Sequence, residues 1–290
     1  MTDATPTFSY DEAFSRNLGW VTEAEQRRLQ QSRVCIAGMG GVGGVYLLTL
    51  ARLGIGKFSI ADFDTFALAN FNRQAGATVS SLNRPKIEVM VEMARDINPD
   101  LDIRVFDRGL DDGNAQAFLA DGDVYLDGLD FFALDIRRKV FALCASMGMA
   151  ATTVAPLGMG AALLNFVPGG MTFEEYFRLD GHTPNDQALR FLVGLSPAML
   201  QMGYLVDPSR VDLANRRGPS TGIAVQLCSG IAAAQILKLL LKRGAVLSAP
   251  RGMHFDAFRN RLVHTWRPGG NHNPLQRLLL AVAGRRLRRL

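Results

Sequence analysis

Cysteine is scarce in this chain. Cys35, Cys144 and Cys228 are the only three in 290 residues, and no two form a Cys-x-x-Cys pair. They cannot build a disulfide framework, and they cannot supply the paired thiolates of a structural zinc site. Each sits in an apolar stretch, which reads as a small buried side chain. Histidine is nearly as sparse: His182, His254, His264 and His272 show no metal-ligand spacing. The first residues, Met1 to Pro6, lack both a basic and an apolar region. No secretory signal is therefore expected. No long apolar run is unbroken either, since Ile223 to Leu241 contains Gln226, Gln235 and Lys238. That segment reads as a buried helix and not as a membrane span. The expected location is cytoplasmic. Acids are missing from Leu275 to Leu290, which holds Arg277, Arg285, Arg286, Arg288 and Arg289. Without these five arginines the remainder of a chain with net charge +5 is formally neutral. The pI of about 9.4 is then no nucleic-acid footprint spread over a surface. The tail reads as a docked or frayed terminal helix, or as a basic helix for an acidic partner or membrane surface. No internal repeat is visible.

What is present is an apolar content of 48%, enough for a sizeable core, and a regular alternation of elements. After a helix from Glu23 to Gln30 capped by Thr22, strands and helices follow in turn. They are Val34–Ala37, Gly43–Leu53, Lys57–Ala61, Pro85–Ile97, Asp102–Phe106, Asn114–Leu119, Asp123–Leu126, Phe131–Met147 and Ala150–Val154. Such alternation predicts an α/β fold with a Rossmann-like, doubly wound, mostly parallel sheet. From Gly158 the pattern changes. Ala161 to Val167 reads as a strand, and Met253–Ala257 with Arg261–Trp266 as a pair, giving a C-terminal antiparallel elaboration. Pro168 to Gly222, rich in Pro, Gly and Asp, reads as an irregular insert covering the site.

Within this frame, Val34 to Lys86 carries the chemistry. Gly38, Gly40 and Gly43 fit G-x-G-x-x-G between an apolar strand and the apolar run Val45-Tyr46-Leu47-Leu48. A tight turn there brings backbone close to a phosphate or ribose, and the following helix N-terminus offers free N–H groups. Asp62 lies about twenty residues on, where an acid bonds ribose hydroxyls. Arg73 and Lys86 then add positive charge. A dinucleotide pyrophosphate is held mostly by backbone N–H groups, whereas a triphosphate about to be cleaved needs cations and magnesium on the leaving pyrophosphate.

At this point the sequence resembles the ThiF/MoeB-type adenylyltransferases, relatives of the ubiquitin-activating enzymes. The resemblance rests on Gly38-x-Gly40-Gly41-x-Gly43, Asp62-Phe63-Asp64, Asn70-x-Asn72-Arg73-Gln74 and Arg84-Pro85-Lys86. It extends to Arg16-Asn17 and Gln26-Arg27-Arg28-Leu29 upstream, and to Asp127-Gly128-Leu129-Asp130 downstream. It covers roughly residues 10 to 165, the later chain matching mainly through one apolar helix. The resemblance implies ATP and Mg²⁺, with Gly41 and its neighbours facing the nucleotide and Asp62 its ribose. Asn72, Arg73 and Lys86 would face the phosphates, with Asp64, Asn70 and Gln74 in the same nucleotide-binding set. Asp130 would sit near magnesium and the α-phosphate. Arg16 would reach the triphosphate of a partner subunit in a homodimer. The implied reaction is activation of a carboxylate as an acyl-adenylate: the C-terminus of a ubiquitin-like or sulfur-carrier protein, a peptide, or a small acid. The implied partners are that substrate and a second copy of the chain.

The residues themselves leave some readings open. Asp130 is also a good N-cap for the Phe131–Met147 helix. Relatives commonly have Asn or Ser after this Asp, where this chain has Phe131 and Phe132, so the neighbourhood of the reacting carboxylate is expected to be apolar. Many relatives hold zinc with two Cys-x-x-Cys pairs, which this chain lacks. Some use a cysteine to form a thioester, and Cys228 is the thiol for which that alternative stays open. A nicotinamide-dependent oxidoreductase accounts for the glycines and Asp62 but gives Arg73 and Lys86 no task. A non-catalytic, nucleotide-binding family member is the third class. The chain divides into a helical arm (1–32), a Rossmann-like adenylation domain (33–167) and the insert (168–222). A helix and strand pair of the same domain (223–274) and a basic tail helix (275–290) complete it.

Overall fold

Arg33–Ala37, centred on Val-Cys-Ile, forms β1, buried along its whole length. In the computed structural model, which describes residues 8–212, 215 and 217–287, β1 lies inside an eight-stranded sheet. The other strands are β2 (Lys57–Ala61), β3 (Asp102–Phe106), β4 (Val124–Asp127), β5 (Ala150–Leu157), β6 (Gly160–Phe166), β7 (Arg251–Asp256) and β8 (Arg261–Trp266). Their order is β3-β2-β1-β4-β5-β6-β7-β8. The first five are mutually parallel. The last three are added antiparallel. The strand order reverses at β1, between β2 and β4, and the crevice outside the carboxyl ends of those strands is where such sheets bind ligands.

The helices are α1 (Tyr10–Ala13), α2 (Glu23–Gln31), α3 (Gly41–Arg52), α4 (Lys86–Ile97), α5 (Ala115–Leu119), α6 (Leu134–Ser146), α7 (Phe173–Phe177), α8 (Pro184–Leu195), α9 (Gly222–Leu241) and α10 (Pro274–Leu287). Thr22 caps α2 as its sequence implies, with Glu25 returning the bond. One face of the sheet is covered by α3, α4 and α9, through Leu47, Leu50, Met90, Cys228, Ala232 and Ile236. The other is covered by α5 to α8, with Phe118, Phe141, Phe173, Phe177 and Phe191 in one cluster. Helix α9 is the one described helix long and apolar enough to cross a bilayer. It packs on α3, β5 and β6 and buries Val225, Cys228 and Gln235, as a core helix does.

The expected insert contains more order than its composition suggests. Helix α8 starts at a Thr183 cap with Pro184 in its first turn and buries Ala188, Phe191 and Leu195. These start signals are legible in the sequence. The expected cap of α6 is corrected: that helix begins at Leu134, three residues beyond the expected start, and its N-cap is Ala133 and not Asp130. Helix α10 packs on α8, so the described part of the basic tail is docked. Met1 to Pro6 and Arg288–Arg289 lie outside the described residues.

Candidate active site

The glycine turn is built by contact. Gly38 has φ +87°, and a Cβ there would stand 2.2 Å from the Gly128 carbonyl oxygen. A Cβ on Gly43 would stand 1.7 Å from the Gly38 carbonyl oxygen. Both positions therefore need glycine for backbone packing alone, which also seats the Gly128-Leu129-Asp130 loop against the turn. Gly40 is different. A Cβ there would stand in ordinary van der Waals contact with the Gln74 amide at 3.6 Å, so backbone packing does not itself require glycine at this position. Gly40 is the N-cap of α3, Gly41 is its first residue, and no side chain caps that end. Its free N–H groups and dipole suit an anion.

Asp62 follows β2 and is held against the turn. Its Oδ2 accepts the Met39 N–H at 2.6 Å and its Oδ1 accepts the Asp64 N–H at 2.8 Å. Burial raises the carboxyl above its ordinary value, and these two bonds oppose that rise. Each oxygen keeps a lone pair for a ribose hydroxyl. Asp64 in turn accepts from Lys86 Nζ at 2.9 Å. Lys86 opens α4 and is 8% exposed, whereas Asp64 is 55% exposed. The lysine is thus fixed beside Asp62 by a partner that solvent reaches.

Arg73 lies over the start of α3, its Cγ 3.9 Å from the Gly41 Cβ position. Its guanidinium donates to the Ala69 carbonyl and to Asn72 Oδ1, both at 2.9 Å. Asn72 donates to the Ser220 carbonyl at 2.9 Å. The Val225 side chain reaches the Gly41 Cβ position at 3.3 Å. The start of α9 therefore roofs the glycine turn, which sequence spacing does not reveal. Asn70 serves the loop itself: its Oδ1 accepts the Ala67 N–H at 2.9 Å. Gln74 lies beneath the turn, 7% exposed.

Asp130 is exposed, and its Oδ1 accepts the Phe132 N–H at 2.9 Å in a local turn. It does not cap α6 because Arg137 holds the preceding backbone out of the helix. Arg137 donates to the carbonyls of Leu129, Asp130 and Phe131 at 2.7, 3.0 and 3.2 Å. It also pairs with Asp127 at 2.8 Å, the two side chains being 3% and 2% exposed. Thr153 donates to the same Asp127 oxygen at 3.0 Å. Asp127 and Arg137 are the positioning residues that the sequence reading passed over. Phe131 packs on Phe191 of α8, with ring centroids 5.3 Å apart, and the Arg137 guanidinium lies 4.7 Å over that same ring. The wall beside Asp130 is apolar, as Phe131 and Phe132 led one to expect.

Arg16 is not brought to this cluster. It lies in the short turn Ser15–Asn17, exposed, and it forms no ion pair among the described residues. Its neighbour Asn17 donates to the Leu53 carbonyl at 3.2 Å, at the far end of α3. Twelve helical residues, about 18 Å, separate that end from the glycine turn.

All three cysteines are buried. Burial pushes the Cys35 thiol up to about 12 and the Cys228 thiol well above its ordinary value. Neither is an available thiolate nucleophile. Among the described residues no three acid, histidine or cysteine side chains form a metal cluster.

Comparison with known proteins agrees with this geometry. The chain resembles the sulfur carrier protein ThiS adenylyltransferase of Escherichia coli (strain K12), 32% identical over 143 residues, 49% of this chain and 56% of that protein. It also resembles the molybdopterin-synthase adenylyltransferase of the same organism, 34% identical over 138 residues, 48% and 52% of the two chains. The chain spans about half the length of the curated relatives it matches. Among solved structures, E. coli MccB with ATP aligns with a TM-score of 0.65 at 17% identity, over 91% of this chain and 72% of that one. PaaA aligns with a TM-score of 0.66 at 16% identity, over 91% and 77%. These structures share the fold. A model of the ThiF family matches residues 14–278, most of the chain, and the chain belongs to that family.

Proposed function

We propose that the chain is an ATP-dependent adenylyltransferase that activates a carboxylate as an acyl-adenylate. One observation supports this reading: Asp62, Asp64 and Lys86 form a bonded series beside the uncapped N-terminus of α3. Asp62 would accept from the ribose hydroxyls. Lys86 would exchange Asp64 for a phosphate oxygen, and Arg73 would meet the phosphates over the start of α3. The substrate carboxylate attacks the α-phosphorus, a new O–P bond forms, and the bond to the bridging oxygen breaks. Pyrophosphate leaves with its charge stabilised by the cations.

Magnesium fits the remaining donor set. Asp127 is engaged by Arg137, so Asp130 is the carboxylate free to hold the ion. One or two protein carboxylates plus substrate phosphates are the usual Mg²⁺ surroundings. The ion would neutralise charge as the carboxylate approaches. The apolar wall of Phe131 and Phe191 lies beside that approach. The substrate is then the terminal carboxylate of a small protein or peptide, or a small acid, and two relatives are named for adenylating protein substrates. In a homodimer, Arg16, displaced from its own site, would serve the partner's triphosphate.

Carboxylate-dependent exchange of labelled pyrophosphate into ATP tests the reading, with calorimetry of ATP and NAD alongside. Asp130→Asn should bind ATP and lose exchange, because it keeps the local turn but weakens the metal ligand. Tight NAD binding without ATP binding, or normal exchange by Asp130→Asn, refutes the assignment.

A further inference from the structure

A second cleft, of about 450 Å³, opens on the outer surface of the α7–α8 layer. That volume is within the ~300–1,000 Å³ of ordinary ligand sites. Arg178, Arg190, Arg277, His182 and His272 line it. None of the three arginines forms an ion pair among the described residues. The acids at the rim make their hydrogen bonds and ion pairs elsewhere, although the Arg178 charge also acts on Glu175. Glu174 and Asp180 both bind Arg138, at 2.8 and 3.0 Å. Glu175 accepts the Thr172 N–H and O–H at 2.8 and 2.9 Å. Arg190 is half-buried; burial lowers its pKa, and the nearby Asp186 charge opposes that shift without an ion pair forming among the described residues. Asn271, 1% exposed, lines the same cleft, and its side-chain carbonyl has no donor.

The cleft stands back to back with the candidate active site. On α6, Arg137 faces the Asp130 loop while Arg138 holds the cleft rim. On α8, Phe191 faces Phe131 while Arg190 lines the cleft. Consecutive helical side chains diverge by about 100°, so each helix serves both sites. The separation is about one helix diameter, ~10–12 Å. A polypeptide reaches both only by passing round the edge of this helix layer, a path longer than that thickness.

We propose that this cleft binds an acidic segment of the polypeptide substrate, upstream of the activated carboxylate. The inference rests on the adenylation reading for its purpose, though not for its binding chemistry. Unpaired guanidinium groups bind spaced carboxylates by charge-assisted bonds. The carboxylates at the rim repel a continuous polyphosphate, which favours a peptide over nucleic acid.

The probe is a fluorescein-labelled hexapeptide of alternating glutamate and glycine, read by anisotropy at low salt without ATP. Its glutamine counterpart is the control. The acidic peptide should bind at least about tenfold tighter. Arg178→Gln with Arg277→Gln, both exposed and tolerant sites, should remove that preference, as should adding Arg190→Gln. Calorimetric ATP affinity should stay unchanged in both variants, which verifies their fold. Equal binding of the two peptides, or preference retained in the variants, overturns the proposal. Stronger binding of a single-stranded oligonucleotide overturns the choice of peptide. Acidic-peptide binding with no pyrophosphate exchange would sink the adenylation reading and leave the cleft standing. The reverse pattern would sink only the cleft.

Discussion

Replacing Arg137 by Met tests how the Asp130 loop is held. The guanidinium makes four hydrogen bonds, one to Asp127 and three to the carbonyls of Leu129, Asp130 and Phe131. Its loss leaves Asp127 buried, with the Thr153 and Tyr125 hydroxyls at 3.0 and 3.3 Å and the Leu129 N–H at 3.3 Å as its donors among the described residues. Breaking a buried ion pair at one partner costs about 3–5 kcal/mol. The three carbonyls lie on an accessible loop and regain water, so they add little. Against a total stability of about 5–15 kcal/mol, the loss is large. Guanidinium denaturation at pH 7 should show it as a lower midpoint with an unchanged slope. The double variant Arg137→Met, Asp127→Leu removes both charges and should recover most of the stability. It should not recover pyrophosphate exchange, because the 129–131 loop has lost its anchor. A single variant within about 1 kcal/mol of the parent refutes the energetic argument. A double variant with normal exchange refutes the positioning role.

Lys86→Ala should weaken ATP binding about 10- to 100-fold, the scale of a charge-assisted bond. Lys57→Ala, at the start of β2 and the opposite end of the sheet, should leave ATP affinity unchanged in the same calorimetric titration. Asp62 has a raised pKa, so its stabilising contribution is present below the ordinary value of 3.8 and lost as pH rises through the raised value. Parent stability relative to Asp62→Asn should therefore fall across that window and stay flat above it in denaturation series. ATP affinity should move the opposite way, rising as the carboxylate ionises. Mixing inactive Arg16→Ala and Asp130→Ala chains should restore up to about half the activity per mixed dimer. A monomer in sedimentation, or no recovery after proven subunit exchange, removes the in-trans role of Arg16.

Much of the fold is determined by local sequence. Lys57–Ala61, Asp102–Phe106 and Arg261–Trp266 are strands with the bounds that their apolar runs and flanking turns imply. Thr22 and Glu25 mark the start of α2 just as locally. The glycine turn is legible because only residues without Cβ fit where Gly38, Gly43 and Gly128 touch. Such features depend on neighbours a few positions away, and periodicity and capping report them. Long-range partnership is another matter. Nothing near Asp127 in sequence announces that Arg137 will bury its charge there, or that this pair will pull Asp130 off the helix end. Helix α8 has readable start signals, yet only packing brings Phe191 onto Phe131 and turns Arg190 to the second cleft. Likewise the start of α9 roofs Gly41 from nearly two hundred residues away, and Arg16 ends at the wrong end of α3 to serve its own site. The sequence by itself determined the elements, the glycine turn and the inventory of charges. The tertiary structure decided which charges are neutralised, because pairing and desolvation depend on distance in space and not along the chain.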